Sequence, residues 1–526
     1  MAKVRTPNQK NRYRQLNKRL AGYVLLVEQI YDELNLEAAQ IALSTGYDGS
    51  KPFHFKDYPK TRDRVNKLKK KFVEELHAVI YRGTSDEWKQ SNLVQDLLAD
   101  RVLKAYGATH RGKKNQVYYQ VNSDALQAFQ ERKISGMNLS GNLWNQAANY
   151  REELEYAISS AIQKGTSAVT LSKRLSKYLK DFPSLQKDYT QKFGKAVDCH
   201  DCEYRSIRLA RSEINMSYRT AEQTRWKQMD FVVGYKIKLS AKHPCHDICD
   251  MLAGDYPKDF FWTGWHPNDM CYLVPILNTE EEFWSDSTTS VNEVKDVPEG
   301  FKKWLADNDE RILKSKQKGT LPYFLKDNPS VLKIAVQSSE IKKVYGMASA
   351  VKMDVQGLAE GIASKYGAVV TPINLKSIAS MTRKVNTEGI SPFDLKDAVR
   401  TTIVADRGDI GDVIKDLTKD GSFLRLKVQK PDDFMGYSGN IVNIKTSNGL
   451  IGEIQVNTAK MIYAKEKPAD AKRILGEELW EKIRKEVGVE GGLGHEFYEK
   501  ARVLNNASAE YAEIVKKSVA YYRLFQ

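Results

Sequence analysis

The feature that most constrains the fold is an Asn448-Gly449 pair between two short segments in which apolar and polar residues alternate. Asn-Gly between alternating runs is typical of a β-hairpin closed by a type I′ turn. Because strand side chains alternate with period two, Glu453, Gln455 and Asn457 share one face of the second strand. A solvated strand face more often carries Lys or Thr, so this row of one carboxylate and two amides indicates a functional surface.

Charged residues upstream of the hairpin complete a pattern that suits nucleotide chemistry. Asp397 and Arg400 stand at the start of a β-branched run that predicts a strand. Helical spacing before that run brings the following basic and hydroxyl-bearing residues to one face: Lys376, Ser380, and Arg383 or Lys384. Nucleotide phosphates with Mg²⁺ require such a surface beside carboxylates, because the cation bridges phosphate oxygens while Lys and Arg neutralise their charge.

Residues 355–505 resemble the RelA/SpoT-like synthetase domains. The resemblance rests on the basic helix, the Asp397 to Arg400 strand start, the Gly436-Tyr437 pair and the Glu-Ile-Gln-x-x-Thr strand. It is strongest to the branch found in toxins and phage proteins. The resemblance implies an α/β domain with a mixed sheet and flanking helices. It also implies an ATP-dependent pyrophosphokinase whose acceptor is a guanine nucleotide, an adenine nucleotide or an RNA 3′ end.

The same resemblance implies roles for individual residues. Asp397 would hold Mg²⁺, and Glu453 would activate the acceptor hydroxyl or share the metal. Gln455 would complete the catalytic set on the same strand face. Tyr437 would stack on the acceptor base. The whole predicted nucleotide-binding set is Lys376, Ser380, Arg383, Lys384, Arg400 and Tyr437.

The middle of the chain, residues 140–278, resembles a second family. It has a helix pair hinged at a Gly-Thr-Ser sequence, residues 165–167, and ends in a His-Pro-Asn-Asp-Met-Cys sequence, residues 266–271. These features are similar to the Mu F-like minor head proteins of tailed phages, also called the head-morphogenesis family. The resemblance implies a mainly helical module with a small Cys/His-containing α+β part. It also implies a low-copy minor capsid protein near the portal, delivered from the virion into the host cytoplasm.

The five cysteines all fall between Cys199 and Cys271, and an odd, clustered set points away from a disulfide scaffold. Three thiolates and one imidazole can close a tetrahedral Zn²⁺ site. The candidate ligands are Cys245, Cys249, His266 and Cys271, with His243 and His246 in competition and Cys199-x-x-Cys202 as a second pair. The alternative is a set of reduced, buried thiols and an exposed histidine in a loop-rich module.

The formal net charge of +15 indicates either a polyanionic partner, such as DNA, RNA or nucleotide phosphates, or simply a soluble surface. Residues 1–20 hold seven Lys and Arg and no acid, which predicts a mobile tail that can also lie on DNA or an acidic partner. The sequence lacks an apolar run of about 18 residues or more, so we expect no membrane-spanning segment. The polar start of the chain argues against a secretory signal.

These patterns predict a multidomain chain. Its segments are a basic arm with a helical region (1–140), the Mu F-like module (141–280), a linker (281–345) and the RelA/SpoT-like domain (346–526). The leading hypothesis is a phage head protein that carries a pyrophosphokinase domain as a toxin or effector. The alternative is a purely structural head protein bound to portal or capsid proteins, with a degenerate C-terminal binding domain. A weaker third hypothesis is a nuclease toxin that uses His495 and Glu496.

Overall fold

The computed structural model describes residues 4–108, 113–134, 136–240, 247–285, 289–432, 434–502, 504 and 507–526. The chain forms two compact units, Met1–Leu332 and Lys333–Gln526. The boundary lies inside segment 281–345, which the sequence predicted as a linker. Both the predicted N-terminal region and the predicted middle module fall within the first unit.

The first unit is mainly helical with one small sheet. Its helices are α1 (Gln9–Leu43), α2 (Arg62–Ala105), α3 (Lys113–Gln116), α4 (Ser123–Glu131), α5 (Leu139–Ala161), α6 (Ala168–Lys180), α7 (Phe182–Phe193), α8 (Cys202–Gln228), α9 (Ile248–Leu252), α10 (Glu280–Ser285), α11 (Glu299–Asp307), α12 (Asp309–Gln317) and α13 (Tyr323–Lys326). Its strands are β1 (Val232–Lys238), β2 (Gly254–Pro257) and β3 (Tyr272–Leu277), which form an antiparallel sheet in the order β2-β1-β3.

The long helices of this unit enclose an aromatic core. Tyr31 of α1, Phe72 of α2 and Tyr150 of α5 meet there. The ring centroid of Tyr150 lies 5.0 Å from that of Tyr31 and 5.2 Å from that of Phe72. Aromatic side chains bury large apolar areas and prefer such edge-on or offset contacts, so this cluster fixes how the three helices pack.

The basic N-terminal segment is a docked helix from the start of α1, and the prediction of a mobile tail is wrong there. Tyr13, Leu16 and Leu20 are buried. The Tyr13 hydroxyl donates to Glu222 Oε2 on α8 at 2.6 Å. The apolar residues recur at helical spacing between the basic ones, so counting charges alone hid an amphipathic helix. DNA binding by this segment stays a prediction. The surface that would bind DNA is the exposed face of α1 and not a mobile tail.

The predicted linker carries helices that pack into the first unit. Phe301 of α11 and Phe324 of α13 are buried. Their ring centroids lie 5.8 Å and 5.1 Å from that of Trp265. The prolines and charges of this segment suggested a linker because they outnumber the aromatic residues that anchor it.

The second unit is built on a mixed sheet with flanking helices, as predicted. Its helices are α14 (Leu332–Ala350), α15 (Lys352–Ala363), α16 (Ile378–Glu388), α17 (Ile410–Lys419), α18 (Ala459–Lys465), α19 (Pro468–Leu475), α20 (Glu477–Val487), α21 (Leu493–Ala501) and α22 (Ala509–Tyr522). Its strands are β4 (Val369–Val370), β5 (Asn374–Leu375), β6 (Val399–Val404), β7 (Phe423–Gln429), β8 (Gly439–Lys445) and β9 (Ile451–Asn457). The order is β4-β6-β9-β8-β7 with β5 also on β6, and β6 runs parallel to β9. Among the described residues of both units, no helix is long and apolar enough to cross a membrane.

The β8–β9 hairpin forms as predicted, but its turn differs from the prediction. The backbone N of Thr446 donates to the Leu450 carbonyl at 2.9 Å, which closes a loop of three residues. Gly449 has a φ of +87°, whereas Asn448 keeps a negative φ. A type I′ turn requires positive φ at both central residues, so that assignment is wrong. The Asn448 amide instead donates to the Met347 carbonyl at 2.8 Å.

The two faces of the sheet differ in character. Ile403 of β6, Val442 of β8, and Ile454 and Val456 of β9 form an apolar core, and helices α15 and α17 pack against this sheet. The alternate residues of β9 therefore point away from this core. Helices α18 to α22 form a second aromatic cluster around Tyr463.

Candidate active site

Strand β9 presents a buried row of polar side chains on the face away from the apolar core. Glu453 and Gln455 are each 8% exposed and Asn457 is 4% exposed. The strand register places Arg400 of β6 opposite Glu453 on one side and Asn443 of β8 opposite it on the other. Directly paired residues project to the same face, so Arg400 and Asn443 share the polar face with Glu453. The sequence predicted Arg400 but missed Asn443, because alternation within one strand does not reveal its cross-strand partners.

Asp397, two residues before β6, is held by two lysines. Its Oδ2 accepts from Lys376 Nζ at 2.6 Å, and Lys384 Nζ lies 3.0 Å from Oδ1. The backbone N of Lys376 donates to the Ala398 carbonyl, which continues the β5–β6 pairing and brings this lysine beside Asp397. Burial by itself would raise the pKa of Asp397, but the two ammonium groups outweigh burial and lower the pKa. The predicted acid is therefore ionised and its charge is compensated.

Helix α16 differs in one detail from the predicted basic helix face. Ser377 caps the helix by accepting from the Ser380 backbone N at 3.2 Å, and its hydroxyl donates to Ser380 Oγ at 3.0 Å. Lys376 precedes the cap, so it is not on the helix, although it reaches the same carboxylate as Lys384. Arg383 is exposed. Of the two alternatives left open by the sequence, the structure directs Lys384 toward Asp397 and Arg383 toward solvent.

Tyr437, the predicted base-stacking residue, is positioned by two glycines. Gly436 has a φ of +77°, and a Cβ at this position would lie 2.7 Å from Val519 Cα. A Cβ at Gly439 would lie 3.0 Å from the Tyr437 hydroxyl oxygen. That hydroxyl accepts a hydrogen bond from Asn457 Nδ2. The half-buried ring is thereby fixed at the end of the polar row on β9.

Lys465, at the end of α18, joins the polar row and was not assigned a role from the sequence. Its Nζ donates to Gln455 Oε1 at 3.0 Å, and Gln455 Nε2 donates to Glu453 Oε1 at 2.7 Å. The same Nζ lies 5.4 Å from the centroid of the Tyr437 ring. Lys465 lies eight residues after the end of β9, so the alternating pattern of the hairpin could not predict its contact with Gln455.

One observation supports the prediction that Asp397 can bind Mg²⁺. Asp397 Oδ1 is buried and makes no hydrogen bond, although Lys384 Nζ is within ion-pair distance. A carboxylate oxygen with an unused lone pair is the ligand type that Mg²⁺ prefers, and Mg²⁺ is usually held by one or two carboxylates together with substrate phosphates. Glu453 offers a second buried carboxylate in the same unit.

In the first unit, three of the four predicted Zn²⁺ ligands lie close together. Cys249 Sγ is 3.2 Å from His266 Nε2. Ligand atoms of Cys249, Asp269 and Cys271 lie within 4.8 Å of one another. Asp247, which the sequence did not single out, adds a carboxylate oxygen 3.4 Å from His266 Nε2. Cysteine and histidine spacing alone gives no weight to carboxylates, which explains this omission.

The other candidate ligands are either outside the described residues or in a different part of the first unit. Cys245 and the competing His243 and His246 lie outside the described residues. Cys199 donates to Asp201 at 3.2 Å, and Cys202 is buried in the helical core. Among the described residues, Cys199 and Cys202 do not belong to a group of closely spaced potential metal ligands.

The nuclease hypothesis gains no support from the position of its acid. Glu496 on α21 is exposed, and its carboxylate lies 3.8 Å from Lys500 Nζ. Two exposed side chains one helical turn apart are ordinary for a solvated helix face.

No family model matches the chain. A curated relative is the (p)ppApp synthetase toxin Tas1 of Pseudomonas aeruginosa (strain UCBPP-PA14), which is 37% identical over 182 residues. The matched region is 34% of this chain and 41% of that protein. The chain thus spans about two fifths of the length of this relative.

Solved structures give matches of similar extent. The complex between the Type VI effector Tas1 and its immunity protein is matched at 36% identity, over 36% of this chain and 96% of that chain, with a TM-score of 0.33. The small alarmone synthetase 1 of Bacillus subtilis bound to its product pppGpp is matched at 17% identity, over 34% of this chain and 88% of that chain, with a TM-score of 0.21.

Proposed function

We propose that this chain, which is 37% identical over 182 residues to a (p)ppApp synthetase toxin, has a RelA/SpoT-like pyrophosphokinase domain that transfers pyrophosphate from ATP to a hydroxyl of a nucleotide or RNA 3′ end. The observation that carries the proposal is the buried row on β9, where Glu453 lies between Arg400 and Asn443. A carboxylate so placed can accept a proton while neighbouring cations hold phosphates. Burying a carboxylate is unfavourable unless it has partners, and Glu453 has one in Gln455, whose Nε2 donates to Glu453 Oε1 at 2.7 Å.

The proposed reaction forms a bond from the acceptor hydroxyl oxygen to the β-phosphorus of ATP. The bond from that phosphorus to the oxygen bridging to the α-phosphate breaks, and AMP leaves with the bridging oxygen. Glu453 takes the hydroxyl proton as general base, a role that typically contributes about 10²–10⁴-fold in rate. Bound Mg²⁺ would supply charge neutralisation on the transferred phosphates, and Asp397 would be a protein ligand for it.

Lys376 and Lys384 would hold the donor phosphates, together with Arg400. Both lysines are paired with Asp397 in the structure, so their ammonium groups are aligned before ATP binds. The Asp397 carboxylate thus orients both lysines, and it is also a residue that would hold Mg²⁺. Tyr437 would stack on the acceptor base.

Adenine nucleotides are the first acceptors to test, because the 37% identical relative is a (p)ppApp synthetase toxin. Full-length protein is incubated with ATP labelled on the γ-phosphate and, separately, with AMP or ADP, GDP or GTP, and tRNA. We expect the label in a product two phosphates larger than the adenine nucleotide. Label in a guanine nucleotide or tRNA would reassign the acceptor and keep the reaction class. Label confined to inorganic phosphate or pyrophosphate with every acceptor would contradict the proposal.

A second proposal concerns the first unit, as a Mu F-like minor head module that carries this domain in the virion and into the host cytoplasm. It is supported by the motif resemblance over residues 140–278. The alternative is a structural head protein near the portal whose C-terminal domain only binds.

If the first unit is a head module, purified phage particles should contain the full chain in few copies. Quantitative mass spectrometry against the major capsid protein measures this directly. Detection in lysates of infected cells but not in particles would contradict the head assignment, while the transfer chemistry of the second unit would be unaffected.

Zn²⁺ at the Cys249 cluster is a further proposal, supported by the approach of Cys249, His266 and Cys271. Freshly purified full-length protein should carry about one Zn²⁺ per chain, because thiolate and imidazole ligands together favour this ion. Cys249→Ser should lose the metal, whereas Cys199→Ser, outside the cluster, should keep it. Elemental analysis that finds no zinc in the native protein, or equal zinc in both variants, would show that these are reduced thiols.

A further inference from the structure

Lys465, Gln455 and Glu453 form a chain of hydrogen bonds on β9. Lys465 determines which end of the Gln455 amide accepts and which end donates. An ammonium group only donates hydrogen bonds, and an ionised carboxylate only accepts them. Gln455 lies between the two, with Oε1 3.0 Å from Lys465 Nζ and Nε2 2.7 Å from Glu453 Oε1. The amide must therefore direct its oxygen to the lysine and its N–H to Glu453.

The Lys465 ammonium group is itself held in place. Its Nζ lies 3.4 Å from Glu466 Oε1 and 5.4 Å from the centroid of the Tyr437 ring. Burial alone would lower the pKa of Lys465, but Tyr437 and Glu466 outweigh burial and raise it, so the group stays charged. Helix α18 begins directly after β9, where Thr458 caps it by accepting from the Met461 backbone N at 3.2 Å. The helix therefore carries the lysine back to the strand that precedes it.

We propose that Lys465 is a positioning residue for the transfer reaction, acting through Gln455 to hold the Glu453 carboxylate toward the acceptor hydroxyl. This inference rests on the proposed function, since it assigns Glu453 the proton of that hydroxyl. A general base must lie within hydrogen-bond reach of the proton it takes, and a shift of about 1 Å can lower a rate by about 10²-fold. A neutral residue in place of Lys465 leaves Gln455 Oε1 without its donor and lets the amide and the carboxylate rotate.

The test compares Lys465→Met, Lys465→Arg and a control on the same helix, Lys460→Met. Met matches the length of the lysine stem without the charge. We expect Lys465→Met to lower kcat by about 10- to 100-fold with a nearly unchanged KM for ATP and acceptor. Lys465→Arg retains a cationic donor and should recover most of the rate. Lys460 is on the surface and pairs with Glu486, so Lys460→Met should match wild type.

A double-mutant cycle with Gln455→Ala separates this role from direct substrate binding. If Lys465 acts through Gln455, adding Lys465→Met to Gln455→Ala should lower kcat by less than about twofold further. The inference would be overturned if the fold-decreases in kcat of the two single variants multiplied in the double variant. A Lys465→Met variant that changes KM alone would also overturn it. So would a Lys465→Arg variant that melts like wild type but is as slow as Lys465→Met.

If the wild type transfers nothing to any acceptor, the proposed function fails and this inference fails with it. Full kcat in Lys465→Met beside an active wild type overturns the inference alone.

Discussion

Glu453→Gln is expected to lower the rate of pyrophosphate transfer by about 10²–10⁴-fold, the usual contribution of a general base. Gln keeps the size and polarity of the side chain and removes only its negative charge. Folding should change little, because the residue lies on the polar face of β9 and not among the apolar residues of the sheet. Initial rates of the purified full-length variant against wild type measure the effect, and thermal melting checks the fold.

The matched control for this variant is Glu486→Gln. Glu486 is in the same unit, is half exposed and pairs with Lys460, so its neutralisation should leave the rate unchanged. If Glu453→Gln retains the full rate, Glu453 is not the base. A loss of the same size in Glu486→Gln would mean that the rate responds to the charge of the unit as a whole.

Asp397→Asn is expected to abolish transfer by a different route. The variant removes both the predicted Mg²⁺ ligand and the anchor that aligns Lys376 and Lys384. Excess Mg²⁺ should not restore the rate, because an amide oxygen is a weaker ligand than a carboxylate for a hard cation. Rates measured across a Mg²⁺ titration test this, and recovery of the wild-type rate at high Mg²⁺ would show that Asp397 only tunes metal affinity.

The same variant should be less stable in a pH-dependent way. The pKa of Asp397 is lowered in the folded protein, so its ion pairs stabilise the fold above the unfolded pKa and are lost as pH falls through the folded pKa. Loss of a charged hydrogen bond in this buried setting should cost about 1–3 kcal/mol at neutral pH. The difference from wild type in denaturant unfolding should therefore shrink on acidification. Asp416→Asn, which breaks an exposed pair with Lys365, is the control and should have a smaller effect.

The polar strand face was readable from sequence because local rules determine it. Alternation in β9 places Glu453, Gln455 and Asn457 on one face whatever the turn, so this shared face was predictable although the type I′ assignment is wrong. Their role in a site stays a prediction. The register with β6 then places Arg400 beside Glu453. These two placements depend only on the alternation of side chains along a strand and on the pairing of β6 with β9.

Other features depend on contacts between distant segments and were not predictable from local patterns. Lys465 reaches Gln455 only because α18 folds back on β9, and Asn443 faces Glu453 only because of the hairpin register. The helices that pack around Phe301 were not predicted, because the prolines and charged residues of this segment favoured a linker. In the first unit, Asp247 approaches His266 through the capped start of α9, which a search for cysteine and histidine spacing does not find.

The mass balance of the reaction tests the central claim most directly. Full-length protein is incubated with ATP, Mg²⁺ and the best acceptor other than AMP, so that all AMP formed comes from the donor. AMP is quantified by chromatography together with the pyrophosphorylated product. The mechanism predicts one AMP for each acceptor molecule that gains two phosphates, and neither product with Glu453→Gln. Formation of ADP and inorganic phosphate, or of AMP and free pyrophosphate without an acceptor product, would contradict pyrophosphate transfer by this site.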